Sequence, residues 1–308
     1  MAWDRDSLWA KAATFMERAF QESKEDPLFA LWAALGLELL ARSAVSHVSP
    51  TLLAEPDSNH QYLLHALGRG SEKVSKRSLG AQKVFDLCVI LFEGFTDAER
   101  KICVAIINRR NEELHSGSCA FEEDKSTQWL SGFYRACKTL SECQGYTLED
   151  LFGEDEARHA EELLAEKRIK VKGQVESKVA AHKKVFEAKS ATDQKKATKS
   201  AAKEAISLSY HGHHKARCPA CGSAASINGE PYGTEKVTHE DGEVVVRQPV
   251  SPRGLSCTAC GLTLSGYAEL EVVNLGGRYT RTTSYTPEDY FGLVDPGTRE
   301  PDWEYDNE

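Results

Sequence analysis

Apolar positions recur at helical spacing through the first half of the chain. Within residues 7–21, Trp9, Ala13, Met16 and Phe20 follow at steps of four, three and four, which predicts a helix with one apolar face. Asp26 before Pro27 is an N-cap followed by proline at the first helical position. It opens a strongly apolar helix that ends near Ser49-Pro50, in which Glu38 and Arg42 stand four apart and predict a partly buried ion pair. A glycine-bearing basic loop, residues 66–78, precedes another helix predicted over 79–95. Thr96 with Glu99 three residues on is a capping-box signature. The helix it starts is expected to stop at Ser116-Gly117, with glycine as the C-terminal cap. Trp129, Phe133 and Cys137 mark one more helix before Gly145.

From 154 to 206 the pattern narrows. Leu164, Val171, Val175, Val179, His182 and Phe186 form a single apolar stripe on an otherwise charged helix, and KSATDQKKATKSAAK reads as a hinge or frayed end. After Ser207 the periodicity changes to that of strands, predicted at 243–250, 268–273 and 278–285, with turns at Asp241-Gly242 and Gly276-Gly277.

The expected organisation is multi-domain: an all-α bundle over 1–153, a long basic connector helix with a hinge over 154–207, a mostly-β domain over 208–293, and an acidic tail over 294–308. Charge supports these divisions. The whole chain of 308 residues has 38 Lys plus Arg against 47 Asp plus Glu, a net charge of −9. Counted by segment from the sequence, 1–160 carries 18 basic and 25 acidic residues (−7), 161–207 carries 12 and 7 (+5), and 208–308 carries 8 and 15 (−7). An acidic total argues against a general nucleic-acid coat, whose affinity comes from neutralising phosphates, and it confines any such contact to the basic middle. No apolar run approaches about 18 residues without a charge, so no membrane span is expected. The opening MAWDRDSLW lacks the positive flank of a signal peptide, and a cytoplasmic location follows as the expectation.

Nine cysteines divide into two groups. Cys88, Cys103, Cys119, Cys137 and Cys143 are scattered without motif spacing and read as small core residues in a reducing compartment. Cys218-Pro-Ala-Cys221-Gly and Cys257-Thr-Ala-Cys260-Gly are matching knuckles, in which two residues between thiolates let both sulfurs reach one ion while the glycine turns backbone N–H groups toward them. Four thiolates make a closed tetrahedral zinc site with structural character, the pattern of a zinc ribbon. The 35-residue spacer, long for a ribbon, contains the hairpin predicted at Asp241-Gly242. His211, His213 and His214 just upstream read as exposed polar residues or a second metal site. Arg247, Arg253, Tyr267, Arg278, Tyr279 and Arg281 offer the ribbon a stacking and phosphate-binding face.

The chemistry-bearing sequence of the helical half is Arg110-Asn111-Glu112-Glu113-Leu114-His115. Arg110 interrupts an apolar stripe formed by Cys103, Ile106, Ile107 and Leu114, and Asn111 and His115 stand four apart, close enough for an amide to orient an imidazole. Arg-Asn-x-x-x-His late in a helix of an all-α bundle resembles the motif of HEPN domains, over roughly residues 1–150. The resemblance implies a metal-independent RNA endonuclease that dimerises to build its site, in a toxin or phage-defence setting with an antitoxin or defence-system partner. It marks Arg110, Asn111 and His115 as the catalytic residues, with His115 as general acid or base, Arg110 as the cation on the phosphate, and Asn111 holding the imidazole or the phosphate. Arg109 fits a looser arginine-to-histidine spacing, and Glu38 and Arg42 are candidate supporting residues. The alternatives are that Arg110 pairs with a buried acid such as Glu38 or Glu113 while His115 merely ends a helix, and that the chain is a non-catalytic nucleic-acid- or protein-binding adaptor.

Overall fold

A computed structural model describes residues 3–71, 73, 75–123 and 125–292. The expected acidic tail and residue 293 lie outside them. The chain forms two compact units, Met1–Gln174 and Val175–Glu308. The first is helical and the second is strand-rich.

In the helical unit, α1 (Arg5–Gln21) and α2 (Pro27–Val48) pack along each other. At Gly36 a Cβ would stand 2.9 Å from the Met16 sulfur, so a larger residue there would have to displace that side chain. Asp26 caps α2 as expected, accepting from the Leu28 N–H at 2.8 Å. By length and composition α2 could cross a membrane, the one such helix among the described residues, but most of its apolar window is buried inside this unit. It packs on α4 (Ala81–Leu91), α5 (Asp97–His115) and α7 (Ser126–Glu142), with fully buried Phe29, Leu37, Leu40, Phe85, Phe95 and Phe133 among the core residues. Smaller helices complete the unit: α3 (Gln61–Ala66), α6 (Ala120–Glu123) and α8 (Leu148–Phe152).

The capping box at Thr96 and Glu99 is present, and the Glu99 carboxylate also holds Arg135. The other end of α5 departs from expectation. Gly117 has no positive φ; the helix stops because Ser116 turns extended at φ −128°, with its hydroxyl donating to the Glu112 carbonyl at 2.7 Å.

The unit boundary falls within α9 (Glu154–Glu187). Val175 is its fully buried stripe position, and Val179, His182 and Phe186 are half-buried. The segment read as a hinge or frayed end is α10 (Ala191–Tyr210), capped by Ser190 and anchored by buried Ala201 and Ala205 against the sheet. Alanines at four-residue spacing gave little hydrophobic signal, yet their small size permits close helix–sheet packing.

The strands are β1 (His214–Arg217), β2 (Ala224–Pro231), β3 (Lys236–Glu240), β4 (Glu243–Ser256), β5 (Thr263–Ser265) and β6 (Tyr279–Tyr285), all antiparallel. β4 is the spine: its first half pairs with β3 and β6, its second with β2 and β5. The Asp241-Gly242 turn joins β3 to β4 with both residues at positive φ, the geometry of a tight hairpin. Residues 268–273, expected as a strand, fall largely in a helix, α11 (Gly266–Val272). Only Leu270 there is fully buried, so the segment needs one apolar contact per turn, and its Ala and Glu residues favour helix. α12 (Pro287–Phe291) follows β6.

Candidate functional site

The four-cysteine cluster is built by strand register. Pairing of Ser226 with Ser256 sets the start of β2 beside the end of β4, so the knuckle before β2 meets the knuckle after β4. The two knuckles repeat one design: Gly222 N–H donates to the Cys218 carbonyl at 3.0 Å and Gly261 N–H to the Cys257 carbonyl at 2.8 Å. Cys218 and Cys257 N–H donate to Ser223 and Leu262 carbonyls, each at 2.9 Å. Both glycines have positive φ, +71° and +78°, which a side chain would strain.

Cys218 and Cys260 sulfurs are 3.6 Å apart, as are those of Cys221 and Cys257, and all four lie within 4.8 Å of one another. A tetrahedron of thiolates at the Zn–S distance of 2.3 Å has edges of about 3.8 Å, so the donor set fits a zinc ion. Contact with Cys218 and burial push the Cys257 thiol up, and burial pushes Cys260 up to about 11. A divalent cation bound there would displace the thiol protons and stabilise the sulfurs as thiolates. With every position taken by sulfur, such an ion would be structural.

Two further side chains hold the second knuckle. His182 Nδ1 is 2.8 Å from the Cys260 carbonyl, so this nitrogen carries the proton, and Lys189 Nζ donates to the Ala259 carbonyl at 2.6 Å. Sequence reasoning placed His182 on an apolar stripe and missed this role; the signal was a histidine among aliphatics.

In the helical unit Arg110 lies against α2. Its Nη2 is 2.5 Å from Glu38 Oε2, while Arg42 grips Glu38 Oε1 through Nη2 at 2.7 Å and Nε at 3.0 Å. Arg42 in turn donates to Ser78 Oγ at 3.1 Å and the Leu79 carbonyl at 2.8 Å. The three charged side chains are 13–16% exposed, and Arg110 Nε is buried without a hydrogen-bond partner. Glu38 therefore joins two arginines from separate helices. Glu113 is not the partner; it accepts from the Phe121 N–H at 3.2 Å. Ser78 and Leu79 carried no sequence signal, since they reach Arg42 only through the fold.

Asn111 and His115, on the last turns of α5, are exposed and make no hydrogen bond or ion pair among the described residues. Arg109 pairs along the helix with Glu112 at 3.2 Å. The loop residues Arg69, Lys73, Lys76 and Arg77 are exposed.

On the sheet, Arg247 is held by Glu240 at 2.7 Å and Arg253 by Glu230, so these two cations are already neutralised. The upstream histidines make separate contacts: His211 to the Ser207 carbonyl, His213 to the Ser226 hydroxyl, and His214 stacked on Tyr279 at 4.7 Å. Among the described residues the four cysteines form the one cluster able to hold a metal. Comparison with family models, with curated proteins and with solved structures finds no match.

Proposed function

We propose that the chain is a HEPN-type, metal-independent RNA endonuclease that acts as a homodimer in the cytoplasm, with a structural zinc ribbon as its second unit. The observation that carries this reading is the contrast within one motif: Arg110 is held at the base by Glu38, which Arg42 grips in turn, while Asn111 and His115 stand open to solvent without partners among the described residues. A cation fixed before substrate arrives costs no reorganisation when charge develops on phosphorus.

In the proposed reaction His115 takes the proton of a ribose 2′-hydroxyl as that oxygen attacks the adjacent phosphorus. Arg110, a permanent cation, stabilises the charge on the non-bridging oxygens. The 5′-oxygen leaves with a proton from the second copy of His115, which a two-fold dimer supplies. The products are a 2′,3′-cyclic phosphate and a 5′-hydroxyl. Asn111 positions the imidazole or the phosphate. A toxin or phage-defence role, with an antitoxin or defence-system partner, follows from the family resemblance.

One observation favours a second reading. Glu38 already neutralises Arg110, which is what a purely structural ion pair would do, and the chain would then be a non-catalytic adaptor for nucleic acid or protein. Incubation of purified protein with total RNA in EDTA separates the two. The endonuclease cleaves, His115→Ala does not, and only the wild type slows bacterial growth on expression; intact RNA and normal growth in every case leave the adaptor.

A further inference from the structure

The exposed face of α10 carries charge that the fold does not use. At 100° per residue, buried Ala201 and Ala205 with half-buried Gln194, Ala197 and Leu208 occupy one side of the helix, turned to the sheet. Lys195, Lys196, Lys199, Lys203 and Tyr210 fall on the opposite side within an arc of about 100°. All five are exposed, Tyr210 by 85%, and none makes an ion pair among the described residues. The two acids of α10 lie outside the arc: Asp193 is committed to the Ser190 cap, and Glu204 flanks the packed side beside Thr258. The pattern is a row of cations about 12 Å long, from the rise of 1.5 Å per residue, with an aromatic ring about 10 Å beyond its end. Just beyond Tyr210 the chain turns at Gly212, where the Arg281 guanidinium lies against the glycine, and His214 stacks on Tyr279.

We propose that this face of α10, with Arg281, is a binding track for the backbone of a single-stranded polynucleotide, the lysines on phosphates and Tyr210 stacking on a base. A lipid surface suits it less, because most of the apolar side of α10 is buried on the sheet and only Ile206 and Tyr210 remain as large apolar side chains in the exposed arc, too few for an amphipathic insertion. The track does not depend on catalysis by the helical unit, since binding and cleavage are read separately.

The test uses the full chain in its zinc-bound form, with fluorescent 20-mers of uridylate and thymidylate and anisotropy read from 50 to 200 mM salt. Single-strand contacts contribute a slope of about −0.7 per phosphate, so four lysines and Arg281 predict about −3.5, a roughly 100-fold weakening across that range. Replacing Lys195, Lys196, Lys199 and Lys203 by glutamine should cut the slope to about −0.7, a roughly 3-fold weakening, with both oligomers affected alike. Circular dichroism and zinc content of this exposed-residue variant should match the wild type. The proposal is overturned if the wild type binds neither oligomer, if the variant keeps the wild-type slope, if Lys73→Gln with Lys76→Gln in the helical unit accounts for the loss, or if anionic vesicles are bound in preference. Loss of cleavage in His115→Ala with binding unmoved by the lysine variant would sink the track alone; lysine-dependent binding by a chain that never cleaves would sink the endonuclease alone.

Discussion

The Glu38→Gln variant tests the helical site through its electrostatics. The carboxylate takes Arg110 at 2.5 Å and Arg42 at 2.7 Å, and neutralising it leaves two guanidinium groups facing each other in a largely buried position. Breaking a fully buried pair costs about 3–5 kcal/mol; the 13–16% exposure of these side chains and the oxygen that glutamine retains reduce this to about 2–3 kcal/mol. For a unit of this size each kcal/mol moves the midpoint by about 2–4 °C, which predicts a loss of roughly 5–10 °C. Tryptophan fluorescence chiefly reports this transition, since four of the five tryptophans, Trp3, Trp9, Trp32 and Trp129, lie in the helical unit. Arg110→Ala in the Glu38→Gln background should cost less than the sum of the singles, with a coupling of about 1–3 kcal/mol. A midpoint within about 2 °C of the wild type, or singles that add to within about 0.5 kcal/mol, would refute the claim that Glu38 holds both arginines.

Further outcomes follow from the same geometry. Elemental analysis should find one zinc per chain, and Cys257→Ser or a strong chelator should abolish the cooperative unfolding of the strand-rich unit while the helical unit keeps its own transition; loss of both transitions together would contradict the two-unit division. Thr96→Ala removes one side of the capping box and should lower the stability of the helical unit by about 1 kcal/mol in urea unfolding, whereas no change would mean the cap is redundant with the Arg135 contact. Hydrogen bonds from Arg247 hold the Glu240 carboxyl down at about 2, below its ordinary 4.5. A depressed folded value means stability present above pH 4.5 and lost as pH falls through 4.5 toward 2, so Glu240→Gln should flatten the acid limb of the strand-rich unit there; an unchanged limb would refute the pairing. Gly36→Ala should destabilise the α1–α2 pair by displacing Met16, read as a lower thermal midpoint.

Much of this was legible where sequence acts locally. The Asp26-Pro27 start, the Thr96 capping box and the Asp241-Gly242 turn each depend on residues within one turn, and each forms as the pattern predicts. The cysteine cluster was legible because knuckle spacing fixes sulfur geometry, whatever the length of chain between. Long-range choices were not. Two acids were equally placed to meet Arg110, and only the packing of α5 on α2 selects Glu38 over Glu113. Residues 268–273 alternate in a way compatible with strand or helix, and their one deeply buried position decided for helix. The end of α5 shows the limit of a local rule, since Ser116 ends the helix with a hydroxyl contact and Gly117 adopts no special conformation.

The central claim rests on His115, which is exposed and can be changed without disturbing the core. The decisive measurement is mapping of RNA ends after digestion in EDTA by wild type and His115→Ala. The account predicts 2′,3′-cyclic phosphate and 5′-hydroxyl ends from the wild type and none from the variant; equal cleavage by both proteins, or no cleavage by the wild-type protein, would contradict it.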